Sequence, residues 1–136
     1  MSKENVDLLL CLWETWNEEG DVAVIARDFW DPDIEWVLPA EWTSVASRIS
    51  RGREAVMRQS EEFAEHMGHF LIEVVEVADA GDEVFADLRY HARGAKSEAT
   101  VALRVFHVTR VREGRIQRVR VFATRDEALD AAGLSE

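Results

Sequence analysis

His107 is the residue whose type and position most directly suggest catalysis. It falls in an alternating segment, residues 98–112, that predicts a β-strand. One row of that strand consists of Val101, Leu103, Val105, His107, Thr109 and Val111. Because successive side chains of a strand point to opposite faces, His107 is expected to lie inward. Burial keeps an imidazole neutral and able to take a proton, which predicts a catalytic base or hydrogen-bond donor; the alternative is a hydrogen-bonded core histidine.

Tyr90 is the second catalytic candidate, because its hydroxyl lies on the inward row of another predicted strand, residues 84–93. The inward strand positions and the tryptophans of the N-terminal region predict an apolar pocket with few polar groups, which is typical of small-molecule sites. The expected substrate-binding residues are Trp13, Trp16, Trp36, Leu38, Leu88, Val105, Thr109, Val119 and Val121. The competing interpretation is that the aromatic side chains only fill the core.

Glu41 and Trp42 come shortly after Pro39, in a segment without periodicity, residues 40–51. We predict a loop with a short strand near residues 46–50, and we expect the loop to cover the mouth of the pocket as a lid. Glu41 and Trp42 are then expected to contact the substrate, although most loop carboxylates only face solvent.

Glu62, His66 and His69 have a spacing that can bring three metal ligands together on one helix. Gly68 is expected to end that helix before His69, and the neighbouring sequence offers no further strong ligand. We therefore predict no metal site.

The elements that position these residues follow from hydrophobic periodicity and from helix and turn signals. The predicted order is two helices ending at Gly20 and before Asp31, a strand at 34–38, the loop, a helix at 53–67, four strands at 70–77, 84–93, 98–112 and 115–124, and a last helix at 126–132. This order predicts a single α+β domain over residues 1–136, with a curved, mostly antiparallel sheet and helices packed on one face.

Five short motifs in a fixed order resemble SnoaL-like members of the nuclear-transport-factor-2-like superfamily, which includes polyketide cyclases and ketosteroid isomerases. They are Trp16-Asn17-x-x-Gly20-Asp21, Asp31-Pro32-Asp33-Ile34-Glu35-Trp36, Gly52-Arg53-Glu54-Ala55-Val56, Gly114-Arg115-Ile116 and the stretch 127–134. The resemblance covers residues 6–134. It implies a conical fold in which helices on the concave face of the sheet enclose a deep pocket, commonly in a homodimer. Because this fold hosts many reactions, the reaction has to be argued from pocket residues.

Two enzymes of this superfamily can be compared with the chain residue by residue. The positions that match the oxyanion-binding tyrosine, the general-base aspartate and the second oxyanion donor of ketosteroid isomerase hold Trp13, Leu38 and His107. Leucine cannot shuttle a proton, so isomerisation by that mechanism is not expected. Asp87-x-Arg89 resembles the Asp/Arg pairing of limonene epoxide hydrolase, but strand alternation places both side chains outward, which makes epoxide hydrolysis a weaker alternative.

These features predict a SnoaL-like pocket protein for a small, largely apolar cyclic molecule. If the protein is an enzyme, the expected reaction is proton transfer, cyclisation, addition or elimination at an activated carbon, without a metal or redox cofactor. A non-catalytic binding or assembly module is the competing class, because the sequence shows no complete acid–base pair.

The outward sheet face predicts a homodimer. Its expected members are Phe85, Arg89, His91, Arg104, Phe106, Arg118, Arg120 and Phe122. Aromatic residues and arginines are enriched at protein interfaces, and two-fold dimers are the commonest oligomers.

The composition argues against other classes of partner. The chain of 136 residues carries a net charge of −11, with the acidic excess in residues 1–84. This field disfavours nucleic acids and anionic membranes, and the N-terminus lacks a signal pattern, so we expect a cytoplasmic protein. The single Cys11 lies among leucines and is expected to be a buried filler.

Overall fold

The computed structural model describes residues 2–42, 48–93 and 100–134, which form one mixed α+β domain. The helices are α1 (Ser2–Glu19), α2 (Val22–Phe29), α3 (Arg53–Met67) and α4 (Arg125–Ala132), with a short 3-10 helix at Ala40–Trp42. The strands are β1 (Trp30–Val37), β2 (Ile49–Arg51), β3 (Phe70–Ala80), β4 (Glu83–Arg93), β5 (Thr100–Arg112) and β6 (Arg115–Phe122). The α+β prediction is confirmed, and so is the order of the elements.

The six strands form a curved sheet in the order β2-β1-β6-β5-β4-β3. All neighbouring pairs are antiparallel except β1 and β6, which run parallel. Strand β1 begins at Trp30, earlier than predicted, because Trp30 already pairs with Ile116 of β6; the pairing is then irregular between Trp30 and Glu35. Pro32 lies within that irregular stretch, where its missing N–H costs no ladder hydrogen bond. Residues 43–47 and 94–99, which include parts of the predicted strands 46–50 and 98–112, lie outside the described residues.

Helix α1 is fastened to the edge strand β3 through its last turns. The indole Nε1 of Trp16 donates to the carbonyl oxygen of Phe70 at 3.0 Å. The Asn17 amide donates to the carbonyl of Ile72 at 2.8 Å and accepts from its backbone N–H at 2.7 Å. These bonds satisfy backbone groups that an edge strand otherwise exposes, and they hold α1 over the concave face of the sheet.

Gly20, between α1 and α2, has a positive φ of 63°. A Cβ at this position would lie 2.6 Å from Cε1 of His69, whose ring stacks on Trp16. The backbone conformation favours glycine, and a Cβ here would also displace the exposed His69 ring from its place on Trp16. The next residue, Asp21, caps α2 by accepting from the N–H of Ala23 at 2.9 Å.

The start of α3 is tied to the end of α2 by an arginine. Nε and Nη2 of Arg53 both donate to the carbonyl oxygen of Trp30, at 3.1 and 2.5 Å. Since Arg53 is the first residue of α3, this forked contact sets where α3 crosses the concave face. Helices α1, α2 and α3 enclose the main hydrophobic core against that face.

Helix α4 packs on the opposite, convex face of the sheet, which corrects the expectation that the helices lie on one face only. It starts at the N-cap Thr124 and ends at Gly133 in the left-handed conformation. Its buried Ala128 forms a second core with Phe85, Phe106 and Val108. Part of the outward face is thus buried within the chain.

Two further observations concern the helices. Among the described residues, no helix is long and apolar enough to cross a membrane. The prediction that Cys11 is buried is wrong, because Cys11 lies on the exposed side of α1. The apolar face of α1 is formed instead by residues such as Leu9 and Trp13, which are buried in the core.

Candidate functional site

A cavity of about 670 Å³ lies between α1, α2, α3 and the concave face of the sheet. The strands supply an apolar wall that includes Val105, Val119 and Val121. All five tryptophans of the chain line the cavity; they are Trp13, Trp16, Trp30, Trp36 and Trp42. Phe63, Phe70 and Tyr90 add three more aromatic rings. Its volume lies in the range usual for small-molecule sites, and its lining is predominantly apolar and aromatic.

Tyr90 and His107 meet inside this cavity. The Tyr90 hydroxyl oxygen and Nε2 of His107 are 3.1 Å apart, and both residues are buried. They do not lie directly opposite each other, because Tyr90 of β4 pairs with Leu103 and His107 of β5 pairs with Ala86. The concave curvature of the sheet brings the two side-chain tips together, and the small Ala86 leaves room beside the imidazole.

Burial sets the protonation of this pair. It lowers the pKa of His107 to about 4, because the buried imidazolium loses its hydration. The same loss of hydration, acting on the phenolate, raises the pKa of Tyr90 above its usual range. At neutral pH the imidazole and the phenol are therefore both uncharged, and one hydrogen bond connects them, with its direction set by the histidine tautomer.

Aromatic contacts fix the orientation of both rings. The edge of Trp36 packs against His107 with ring centres 5.7 Å apart. Tyr90 stacks on Phe70 at 4.7 Å and receives the edge of Phe63 at 5.9 Å. Such contacts restrict rotation of the two side chains and hold both rings in fixed orientations.

The structure places most of the predicted site residues in the cavity lining. They are His107, Tyr90, Trp13, Trp16, Trp36, Leu38, Trp42, Val105, Thr109, Val119 and Val121. The indole N–H of Trp16 is not available to a ligand, since it is bonded to Phe70. The part that each residue plays toward a ligand stays a prediction.

Two predicted substrate-binding residues are not part of the described lining. Leu88 is fully buried between Val74 of β3 and Val105 of β5, so it belongs to the core. Glu41 is exposed on the short 3-10 helix. Adjacent residues of such a helix point about 120° apart, so the inward position of Trp42 turns Glu41 toward solvent.

Helix α3 contributes three polar lining residues that the sequence analysis did not identify as pocket residues: Gln59, Ser60 and Glu62. Gln59 Oε1 is buried and accepts no hydrogen bond from a described residue. Glu62 is exposed and therefore lies at the rim. The available signal was the amphipathic face of α3, on which Ser60 and Phe63 share the apolar side.

The structure shows no metal site in the part of the chain that it describes, where no cluster of three suitable ligands occurs. Glu62 faces the cavity rim, while His69 is exposed and stacks on Trp16. The side chain of His66 lies outside the described residues.

Asp87 and Arg89 lie on the convex face, away from the cavity. Asp87 is buried and its Oδ2 accepts from Nη2 of Arg104 at 3.3 Å, while its Oδ1 has no partner among the described residues. An aspartate on this face cannot activate water for a ligand in the cavity, which removes the structural basis for an epoxide hydrolase pair.

Other members of the predicted outward face are engaged within the chain. Phe85 and Phe106 are buried in the core beneath α4. Arg118 and Arg120 both donate to the carboxylate of Glu83, at 3.2 and 3.1 Å. The two arginines therefore share one carboxylate within the chain, which leaves a net positive charge at this point of the convex face.

The curved sheet, its helices and the enclosed cavity define a nuclear-transport-factor-2-like fold. Residues 12–119 match the model of the SnoaL-like domain, and the chain belongs to that family. No curated protein sequence matches the chain significantly.

Solved structures with the same fold cover nearly the whole chain. TerC, co-crystallised with polyporic acid, is 17% identical over 96% of this chain and 98% of TerC, with a TM-score of 0.74. A nuclear-transport-factor-2-like protein of unknown function from Burkholderia pseudomallei is 15% identical over 93% and 95%, also with a TM-score of 0.74. IdmH of Streptomyces antibioticus, a proposed polyketide cyclase, is 18% identical over 93% and 96%, with a TM-score of 0.73.

Proposed function

We propose that the chain binds a small, largely apolar cyclic molecule in the cavity and catalyses proton transfer on it, as in an isomerisation or cyclisation. The observation that carries the proposal is the buried contact of 3.1 Å between Tyr90 and His107 at the wall of a cavity of about 670 Å³. Family membership supports a small-molecule or cyclase role. IdmH as a proposed polyketide cyclase and TerC with polyporic acid add support for a cyclic ligand.

In the proposed reaction a ligand carbonyl takes the hydrogen bond of the Tyr90 hydroxyl. With Nδ1 protonated, Nε2 of His107 then has a free lone pair for a proton on the carbon next to that carbonyl. The C–H bond breaks, an N–H bond forms, and the electron pair moves to the carbonyl oxygen, where Tyr90 stabilises the enolate. The resulting imidazolium returns the proton to carbon or oxygen. The step requires no redox cofactor, since no electrons are exchanged, and Tyr90 supplies the group that stabilises the enolate oxygen.

The lowered pKa of His107 restricts the substrate. An imidazole with a pKa of about 4 is a weak base, so it deprotonates only carbon acids that are strongly activated. A ketone whose acidic carbon is also flanked by a second carbonyl or an aromatic ring meets this requirement. Such a substrate also suits the aromatic lining.

A non-catalytic binding protein is the second candidate function. The observation that favours it is that Glu62, the one carboxylate of the described lining, lies at the rim. The deep part of that lining therefore holds no carboxylate that could support His107 as a base. Binding without turnover of an activated ketone would distinguish this candidate.

The binding proposal is tested with 2-tetralone, a cyclic ketone with an activated carbon. We expect saturable binding by calorimetry, accompanied by thermal stabilisation. Trp36→Leu should weaken binding roughly two- to tenfold, because it removes an aromatic contact beside His107. Leu10→Ala, at an exposed position of α1 outside the described lining, serves as the control and should bind normally. Absence of both heat and stabilisation for 2-tetralone, 2-naphthol and camphor would contradict the proposal.

We also propose that the protein forms a homodimer, through the part of the convex face that α4 leaves uncovered. This surface comprises Leu71, Glu73, Arg89, His91 and Arg104 on adjacent positions of β3, β4 and β5. Leu71 is 48% exposed and is the apolar member of this surface. Beneath the surface, Oδ1 of Asp87 and Nε of Arg89 have no hydrogen-bond partner among the described residues. A second copy would cover this apolar and polar patch.

The dimer proposal predicts that Leu71→Glu yields monomers, because a carboxylate in the interface loses hydration and faces Glu73. Leu10→Glu is the matched control, since Leu10 is also exposed but lies on α1. Sedimentation velocity at tens of micromolar provides the measurement. A monomeric wild-type protein, or equal behaviour of the two variants, would rule out this interface.

A further inference from the structure

The cavity lining has an uneven balance of charge. Among the described lining residues there is no lysine or arginine, and Glu62 is the only side chain that is charged at neutral pH. His107 and Tyr90 are both held neutral by burial. An anionic ligand would therefore find no cation in the described lining to pair with, and it would have to pass the carboxylate of Glu62 at the rim. The net charge of the chain, −11, repels an anion further.

The aromatic lining favours the opposite charge. The faces of aromatic rings carry negative electrostatic potential, and tryptophan binds organic cations most strongly among the aromatic side chains. All five tryptophans line this cavity, and neighbouring rings such as Trp30 and Trp36 have centres only 6.1 Å apart. A cation anywhere along this wall lies near several ring faces.

Helix α3 adds unpaired oxygen atoms at the rim. Gln59 and Glu62 are three residues apart, so their side chains are neighbours on the helix surface. The buried Oε1 of Gln59 accepts no hydrogen bond from a described residue, and such an oxygen is costly to leave without a donor. A small rotation of this amide would let a ligand N–H reach it.

We propose that the cavity selects its ligand by charge: it binds a protonated amine on an apolar cyclic body more tightly than the neutral isostere, and it disfavours the matching carboxylate. The ammonium group lies near Glu62 and Gln59 of α3, and its charge faces the tryptophan rings. This inference rests on the proposed function only in taking the cavity as the ligand site. It names a substrate class that the proton-transfer proposal leaves open.

Three compounds with the same ring system test the inference: 2-aminotetralin, 2-tetralol and tetralin-2-carboxylate, measured by calorimetry at neutral pH. We expect the amine to bind about tenfold more tightly than the alcohol, from the combined cation–aromatic and carboxylate attraction. The carboxylate should bind more weakly than the alcohol. Raising the salt concentration should reduce the affinity for the amine and leave that for the alcohol nearly constant.

A pair of variants on α3 locates the charge effect. Glu62→Gln should remove most of the preference for the amine, whereas Glu65→Gln should retain it, since Glu65 is exposed on the same helix and lies outside the described lining. Both variants change the net charge equally. Equal losses in the two variants would overturn the placement of the ammonium at Glu62.

The outcomes separate this inference from the proposed function. If 2-tetralol binds as tightly as 2-aminotetralin, or more tightly, charge selection is overturned while the cavity remains a ligand site. If none of the three compounds and no ketone binds, both proposals are overturned together.

Discussion

Replacing His107 with alanine is expected to lower the rate of proton transfer by about 100- to 10,000-fold, the usual effect of removing a positioned acid–base group. The measurement is hydrogen–deuterium exchange at the activated carbon of 2-tetralone in D2O, followed by NMR. The wild-type protein should accelerate this exchange above the buffer rate. His107→Ala should reduce it toward that rate, because no other described lining residue in the deep cavity can take the proton.

Two further variants show whether the loss is chemical. Tyr90→Phe should slow exchange by a smaller factor, because the enolate loses one hydrogen bond while His107 remains. Val75→Ala, at an exposed position of β3 outside the described lining, is the control, and its exchange rate should stay near that of the wild type. Full exchange activity in His107→Ala would end the assignment of His107 as the base. It would leave the cavity as a binding site.

Acidification from pH 6.5 to 4 is expected to remove about 3 kcal/mol of folding stability through His107 alone. The pKa of His107 falls from 6.5 to about 4 on folding because its site is buried. Between these values the unfolded chain binds one more proton than the folded chain at this residue. Stability therefore declines as the pH falls from 6.5, and the contribution is lost once the pH passes the folded value of about 4. Above pH 6.5 His107 makes no pH-dependent contribution, since it is neutral in both states.

The comparison with His107→Phe isolates this effect from the carboxylates that also titrate in acid. Phenylalanine keeps a ring in contact with Trp36 but cannot take a proton. Urea unfolding of both proteins between pH 7 and 4 should show the wild type losing about 3 kcal/mol more than the variant. Parallel stability curves for the two proteins would mean that His107 is solvated, and both its lowered pKa and its place in a closed apolar site would be wrong.

The local pattern of residues determined which side chains face the cavity. Strand alternation depends only on the geometry of consecutive residues, so it assigned Tyr90, Val105, His107 and Thr109 to one side of the sheet before any contact was known. The same holds for the order of the elements, since helix periodicity, caps and turn glycines act within a few residues. The SnoaL-like motifs, such as Trp16-Asn17 with Gly20-Asp21, are local in the same way.

Which of the inward-facing side chains reach the cavity was decided by the tertiary structure. Leu88 and Tyr90 share a face of β4, yet Leu88 is sealed between its neighbours on β3 and β5 while Tyr90 reaches the cavity. Alternation cannot separate them, because it gives a direction but no distance from the helices. Glu41 lies outside the described lining for a related reason, since the turn of the 3-10 helix places Trp42 inward instead.

The contacts that suggest function also depend on elements far apart in sequence. The 3.1 Å approach of Tyr90 to His107 requires the register of β4 against β5 and the curvature of the whole sheet. The polar residues of α3 join the cavity because Arg53 anchors that helix to Trp30. The burial of Phe85 by α4 likewise joins residues more than forty positions apart. Sequence periodicity reports which face of an element is apolar, whereas only the packed chain determines what that face meets.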